Sequence, residues 1–181
     1  MNSTRRGFLT LGSGLVVAAT ATSLPTMAWA RPSVRRIDFR NLHTEERASV
    51  AYAQGARYLK DGMATASKIL RDWRSNEVAP MDPRVLDFIN ALTEIIGYDD
   101  EVGIISGYRS PKTNKMLRGR SKGVAKRSLH MRGMAVDIRL EGMSAGKVAH
   151  AARRLRRGGV GLYTRSNFVH LDCGRVRHWG A

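Results

Sequence analysis

One cysteine, Cys173, stands in 181 residues. That scarcity excludes an internal disulfide framework and any zinc module built from several cysteines. Acids are also scarce: 15 Asp and Glu face 31 Lys and Arg, for a formal charge of +16. Such an excess asks for an anionic partner without naming it. No apolar run is long enough for a transmembrane helix. The stretch from Leu11 to Leu24 falls short of the ~20 residues required and is interrupted by Gly, Ser and Thr. What is present is 43% hydrophobic residues, enough to exclude a wholly disordered chain. The length favours one domain.

The first thirty residues have the form of an export leader. Arg5-Arg6 open it, the uncharged run follows, and the small-x-small site Ala28-Trp29-Ala30 precedes Arg31. Thr4-Arg5-Arg6-Gly7-Phe8-Leu9 resembles a twin-arginine signal, read by the twin-arginine translocase. A cleaved leader over 1–30 fits better than a retained anchor, leaving 31–181 as the working domain, with no stable membrane span, in the periplasm. The mature chain keeps 29 basic and 15 acidic side chains. Outside the cytoplasm its available anions are wall carboxylates and envelope phosphates rather than chromosomal DNA.

Along the mature chain, Arg35 to Thr44 and Ala48 to Ala53 suggest a hairpin. Leu59, Met63, Ala66, Leu70 and Trp73 recur at helical spacing and predict a helix over 57–74. Asp82-Pro83 is a helix start, with Leu86, Ile89, Leu92 and Ile96 on one face and Gly97 at the end. Val102 to Ser106 suits a buried strand. From Tyr108 to Ser128 the pattern dissolves into a long basic loop. Ala135 to Leu140 alternates, placing Val136, Ile138 and Leu140 on one face and Asp137 on the other. Ser144 to Arg157 reads as a helix closed by Gly158-Gly159. Gly161 to Tyr163 and Phe168 to Asp172 suggest a last hairpin. The sum is a single α+β domain, a small antiparallel sheet with flanking helices.

Two histidines sit beside these strands. His130 precedes the strand that carries Asp137, and His170 shares a strand face with Phe168 and Asp172. Two imidazoles and a carboxylate make a three-ligand set that leaves a tetrahedral zinc one open position. Spacing alone leaves a second reading equally open: surface histidines, with Asp137 paired to Arg139 or Arg132. His43 lies in a turn and His150 on a helix surface among arginines. Cys173 reads as a small packed residue. Tyr108, Tyr163, Phe168 and Trp179 either line a groove or form the core beneath the hairpin.

Ser128-Leu129-His130-Met131-Arg132-Gly133-Met134-Ala135-Val136-Asp137 fits S-x-H-x-x-G-x-A-x-D. Ser106-Gly107-Tyr108-Arg109-Ser110 precedes it and Phe168-Val169-His170-Leu171-Asp172 follows. Together these resemble the LAS zinc peptidases, which include D-alanyl-D-alanine carboxypeptidases and VanX-type dipeptidases. The nearest likeness is to the twin-arginine-exported branch of small murein endopeptidases. It extends over the mature domain through Leu42-His43-Thr44, Gly123-Val124-Ala125-Lys126, Gly158-Gly159-Val160-Gly161 and Arg177-His178-Trp179.

The resemblance implies the LAS fold and a zinc ion (Zn2+) held by His130, Asp137 and His170. It implies that Arg109 stabilises the oxyanion, and that Ser106, Tyr108 and Ser128 position the substrate or support the loop. The implied substrate is the anionic peptide stem of peptidoglycan. The branch implies an endopeptidase acting on diaminopimelate–diaminopimelate cross-links rather than a D,D-carboxypeptidase. One departure stands out: the acidic general base expected three residues before the last ligand is Asn167 here, which cannot take a proton. Asp172 is the first substitute, as base or as a hydrogen-bond partner of a zinc histidine, and His178 the second. The missing acid keeps a non-catalytic, zinc-containing peptidoglycan-binding module as the alternative. A nucleic-acid-binding domain explains the charge, but the chain carries no nucleic-acid motif.

Overall fold

In the computed structural model, residues 33–121 and 123–180 are described. The leader expected over 1–30 lies outside them. Thirteen elements follow in chain order. Strand β1 (Val34–Asn41) and β2 (Arg47–Gln54) form a hairpin, with a two-residue β3 (Arg57–Tyr58) beyond it. Helices α1 (Lys60–Ile69) and α2 (Pro83–Ile96) lead to β4 (Val102–Ser106). Helix α3 (Pro111–Arg120) and a 3-10 turn (Leu129–Arg132) precede β5 (Ala135–Leu140). Helix α4 (Ala145–Leu155), β6 (Gly159–Tyr163), β7 (Phe168–Asp172) and β8 (Arg177–Trp179) complete the fold.

The eight strands form one sheet in the order β3-β2-β1-β4-β5-β7-β6-β8. The architecture is α+β, as the alternating patterns predict, but the sheet is mixed. Strands β1 and β4 are parallel because α1 and α2 intervene between them. Strand β8 is parallel to β6 because the chain turns round the end of β6 after β7.

One face of the sheet carries the core. Phe39, Tyr52, Ile104, Ile138, Val160, Val169 and Leu171 are buried together with Leu86, Ile89 and Leu92 of α2 and Val148 and Ala152 of α4. Such a face buries a full apolar side chain at roughly 1.5–3 kcal/mol each. With the helices massed there, the residues that alternate to the opposite side of β5 and β7 are left facing a cleft.

Local chemistry explains where the elements stop. The Asp82 carboxylate accepts the Arg84 N–H, Pro83 opens α2 and Gly97 closes it at φ 64°. Helix α1 ends at Ile69, not at 74, because Asp72 leaves the helical path to accept the backbone N–H groups of Arg74 and Ser110. Trp73 instead stacks on His43, ring centroids 4.1 Å apart. The expected basic loop contains α3, started by Ser110, whose Oγ accepts the Thr113 N–H, and by Pro111. Helix α4 ends at Leu155, two residues earlier than expected, capped by Arg156 in the left-handed region at φ 51°. Among the described residues no helix is long and apolar enough to cross a membrane.

Candidate active site

Strands β5 and β7 pair antiparallel with Asp137 directly opposite His170. Cross-strand partners share a sheet face, so the register alone brings carboxylate and imidazole together. The 3-10 turn delivers His130 to the same point, and all three residues are buried. Asp137 Oδ1 lies 2.8 Å from His170 Nδ1 and 3.3 Å from His130 Nε2. The two ring nitrogens are 3.1 Å apart. Ligands about 2.0–2.2 Å from a tetrahedral zinc stand roughly 3.3 Å from one another, so the triangle has the right scale.

The remaining contacts fix the tautomers. His130 Nδ1 is 2.7 Å from the Gly107 carbonyl, which only accepts, so Nδ1 bears the hydrogen and Nε2 a lone pair. His170 Nε2 is 3.1 Å from Asp172 Oδ2, so that nitrogen donates and Nδ1 turns its lone pair inward. Two lone pairs and a carboxylate oxygen converge on one point. They repel unless a positive charge lies between them, and the residues present therefore fit a metal ion.

Without an ion, the site meets that demand for positive charge with a proton on His170. Burial lowers the His130 pKa, keeping the ring neutral. Burial also opposes charge on His170, but Asp137 and Asp172 outweigh it and the pKa is pushed up to about 9. Burial would raise Asp137, yet the two imidazoles hold its carboxyl well below the usual range.

Asp172 is fully buried on the same face as His170, as strand alternation predicts. Its oxygens are saturated. Oδ2 accepts from His170 and from Arg177 Nη2 at 2.7 Å; Oδ1 accepts from Arg177 Nη1 at 3.0 Å and from the Gly159 and Gly174 N–H groups. Burial alone would raise its pKa, but the bonds from His170 and Arg177 hold it low. A Cβ at Gly159 would collide with both Asp172 Oδ2 and Arg177 Nη1, so only glycine admits the pair. Of the two roles left open for Asp172, this geometry fits the hydrogen-bond partner of His170.

Arg109 reaches the site from the end of β4. Its Nη2 donates to Ser106 Oγ at 3.3 Å and to Asp137 Oδ2 at 3.4 Å, and its own N–H binds the His130 carbonyl. The buried Nε has no hydrogen-bond partner among the described residues. The guanidinium is therefore held in place with bonding capacity to spare. Ser106 supports Arg109, and Ser128 lines the cleft.

Two expected residues lie elsewhere. Tyr108 packs against the core, its N–H bound to the Leu70 carbonyl, and does not line the cleft. His178 pairs with Val160, whose side chain belongs to the core face, so it projects from the side opposite the cleft and is exposed. Its expected place near the reacting groups is corrected by that register. Asn167 is a turn residue at φ 47° whose Oδ1 accepts the Ala145 N–H at the start of α4. Cys173 is buried in the core, and burial pushes its thiol up to about 11.

The sequence reading overlooked Asp72. Its buried carboxylate holds the N–H of Ser110, next to Arg109, and the start of α3. Burial would raise its pKa, but bonds from Thr113 and Ser110 bring it down to about 2. An acid one residue before a tryptophan gives no local signal, since its partner lies 38 positions away.

The cleft has a volume of about 420 Å³ and is walled by Ser121 and the 123–128 segment on one side and by Tyr163, Phe168 and Trp179 on the other. Asn114 Nδ2 ties that segment to α3 through the Ala125 carbonyl. Among the described residues lining the cleft, Asp137 carries the only carboxylate, while Arg109, Arg127 and Arg177 are cationic. Such a surface favours anionic ligands.

A family model described as peptidoglycan L,D-endopeptidase MepK matches residues 30–179. Peptidoglycan L,D-endopeptidase MepK of Escherichia coli strain K12 is 41% identical over 181 residues, covering 98% of each chain. The probable peptidoglycan L,D-endopeptidase MepK of Haemophilus influenzae is 38% identical over 183 residues, covering 99% of this chain and 97% of its own. With the motifs, the fold and the His-Asp-His group in agreement, the chain belongs to the M15 peptidase family of peptidoglycan L,D-endopeptidase MepK, within the LAS group.

Proposed function

We propose that the chain is a zinc-dependent murein endopeptidase that cuts peptide cross-links of peptidoglycan in the periplasm. It is exported by the twin-arginine translocase and works as residues 31–181 after loss of the leader. The observation that carries this reading is the convergence of His130 Nε2, His170 Nδ1 and Asp137 Oδ1, 2.8–3.3 Å apart, on the floor of an open cationic cleft.

His130, Asp137 and His170 would hold the zinc. Bound there, the ion supplies Lewis-acid polarisation of the attacked carbonyl and acidifies water. The Gly107 carbonyl and Asp172 keep both imidazoles oriented, with one ring nitrogen of each directed toward that ion. Arg109, held by Ser106, offers its unused N–H groups to the oxygen that gains charge as the carbonyl carbon becomes tetrahedral. Arg127 and Arg177 bias the cleft toward stems bearing carboxylates. With Asn167 spent on capping α4 and Asp172 saturated, no spare carboxylate lines the cleft among the described residues.

That last point also favours a second reading, a zinc-containing wall-binding module that does not cut. A digest separates the two. Zinc-loaded mature protein and its His170→Ala variant are given purified cross-linked peptidoglycan, and muropeptides are resolved by liquid chromatography and mass spectrometry. Endopeptidase action converts cross-linked dimers into monomers in the wild type alone. Intact muropeptides, with protein that holds zinc and sediments with the wall, establish the binding module instead.

A further inference from the structure

Charge is divided unevenly along the chain. Nine Lys and Arg and no acid lie between Glu101 and Asp137, and eight Lys and Arg with the single acid Asp172 follow Glu141. Before Glu101 cations are matched by acids: Arg35 pairs with Asp87, Arg40 with Glu45, Arg71 with Glu46 and Arg84 with Asp82. Beyond it, Asp137 and Asp172 are already taken up by the two histidines, Arg109 and Arg177.

The sheet gathers the surplus at one end. Ser106 pairs with Asp137, Ala135 with Asp172, and Gly159 with both Asp172 and Arg177. The C-terminal ends of β4 and β7 therefore lie beside the N-terminal ends of β5, β6 and β8. Helix α3 leaves from that end and presents Lys112, Lys115, Arg118 and Arg120, all exposed. Arg132 precedes β5 there, Arg156 and Arg157 precede β6, and Arg175 sits in the turn to β8; these too are exposed. Glu77, bridged to the Asp72 that holds the start of α3, offsets one of them. Asp99, Asp100, Glu101 and Glu141 stand at the opposite end, where Val102 meets Leu140.

Folding does not call for this basic pole. Helix α3 has no apolar face, its buried residues are Thr113 and Asn114, and Lys112 in its first turn opposes the helix dipole. None of these cations lines the cleft. The row from β4 to β8 spans four strand spacings, about 19 Å, which suits a plane of charges better than a single ion. Two apolar side chains, Met116 one turn from Lys112 and Val176 beside Arg175, are exposed among the cations. A carboxylate polymer has no use for them. A lipid surface takes apolar tips between its headgroups while its phosphates meet Lys and Arg. We propose that this end of the molecule docks peripherally on anionic phospholipid at a membrane surface, as an interaction surface separate from the cleft.

Cosedimentation with vesicles tests this. Zinc-loaded residues 31–181 are used, so that the apolar run of the leader contributes nothing. The vesicles are phosphatidylcholine alone or with phosphatidylglycerol added, over a salt series, and purified peptidoglycan sacculi serve as the rival polyanion. One variant reverses α3 through Lys112→Glu, Lys115→Glu and Arg118→Glu. A second, Arg157→Glu with Arg175→Glu, leaves α3 intact. A control reverses three exposed cations near the other end, Arg36→Glu, Arg57→Glu and Lys60→Glu, and so matches the α3 variant in net charge. Circular dichroism and zinc stoichiometry report folding in each.

The wild type is expected to sediment with the phosphatidylglycerol vesicles, not with phosphatidylcholine, and to be released by salt as a screened contact requires. Both pole variants should lose roughly tenfold or more in vesicle affinity, with the control within about threefold of the wild type. Cleavage of a soluble cross-linked dimer should be the same in all four proteins, since none of the altered residues lines the cleft. Equal binding to both kinds of vesicle overturns the docking surface. So does an equal loss in the α3 variant and the control, which would make net charge the whole effect. Binding to sacculi that depends on α3, with none to vesicles, overturns it as well and gives the surface to the wall polymer. A protein that docks but cuts nothing keeps this inference and loses the endopeptidase reading.

Discussion

Asp137 and His170 occupy the same rung of the β5–β7 ladder, with Asp137 Oδ1 2.8 Å from His170 Nδ1. The contact is made by backbone register, so it does not depend on a flexible loop. A one-residue slip would send one of the pair into the core face. The same register places Ala135 opposite Asp172 and leaves Asp172 two positions along β7 from His170, where it holds the second imidazole nitrogen.

Asp172 and Arg177 should therefore control metal affinity more than folding. Asp172→Asn keeps an acceptor for His170 but loses the charge that also holds Arg177. Zinc affinity, measured by competition with a chromophoric chelator, is expected to fall roughly 10–100-fold. An affinity equal to the wild type would mean that His170 needs no such partner.

Arg109→Lys retains a positive charge but loses the planar fork of donors. Zinc stoichiometry should stay at that of the wild type, while kcat drops on the order of 10²-fold, the usual loss for one oxyanion donor. Steady-state kinetics on a purified cross-linked dimer reads this directly. A pure KM effect would assign Arg109 to ground-state binding instead.

Asp72 makes a prediction about acid. Its pKa is depressed in the folded state to about 2, so its stabilisation is complete above the unfolded value near 4 and is lost as pH falls toward 2. Asp72→Asn should lower unfolding free energy by about 2 kcal/mol at neutral pH, with a smaller difference from the wild type at pH 3. Urea melts at the two pH values check both statements. A constant difference would show that the carboxylate's charge contributes nothing.

How much of this was legible in the sequence differs from element to element. Helix α2 is announced at both ends by Asp82-Pro83 and Gly97, and its apolar face has a clear period. Strand β5 shows the alternation that separates Ile138 from Asp137. Helix α3 carried the same Ser-Pro start as α2 carries Asp-Pro, but it has no apolar face to give a period, so its charges suggested a loop. It is held instead by Asp72 and by Asn114, contacts made at long range.

The histidines and Asp137 stand out because their residue types and strand positions point to one chemistry. The saturation of Asp172 could not be read, since it depends on Arg177 reaching over Gly159. Nor could the face of His178, because β8 is three residues long and its register is set by β6.

The most direct measurement follows metal and cleavage together. The mature protein is stripped with chelator, and zinc is returned in steps while bound metal and dimer cleavage are both recorded, alongside Asp137→Ala. The account predicts activity that rises linearly to one zinc per chain, with neither tight binding nor cleavage in the variant. Cleavage that survives stripping, or an Asp137→Ala protein that binds zinc and cuts like the wild type, would contradict it.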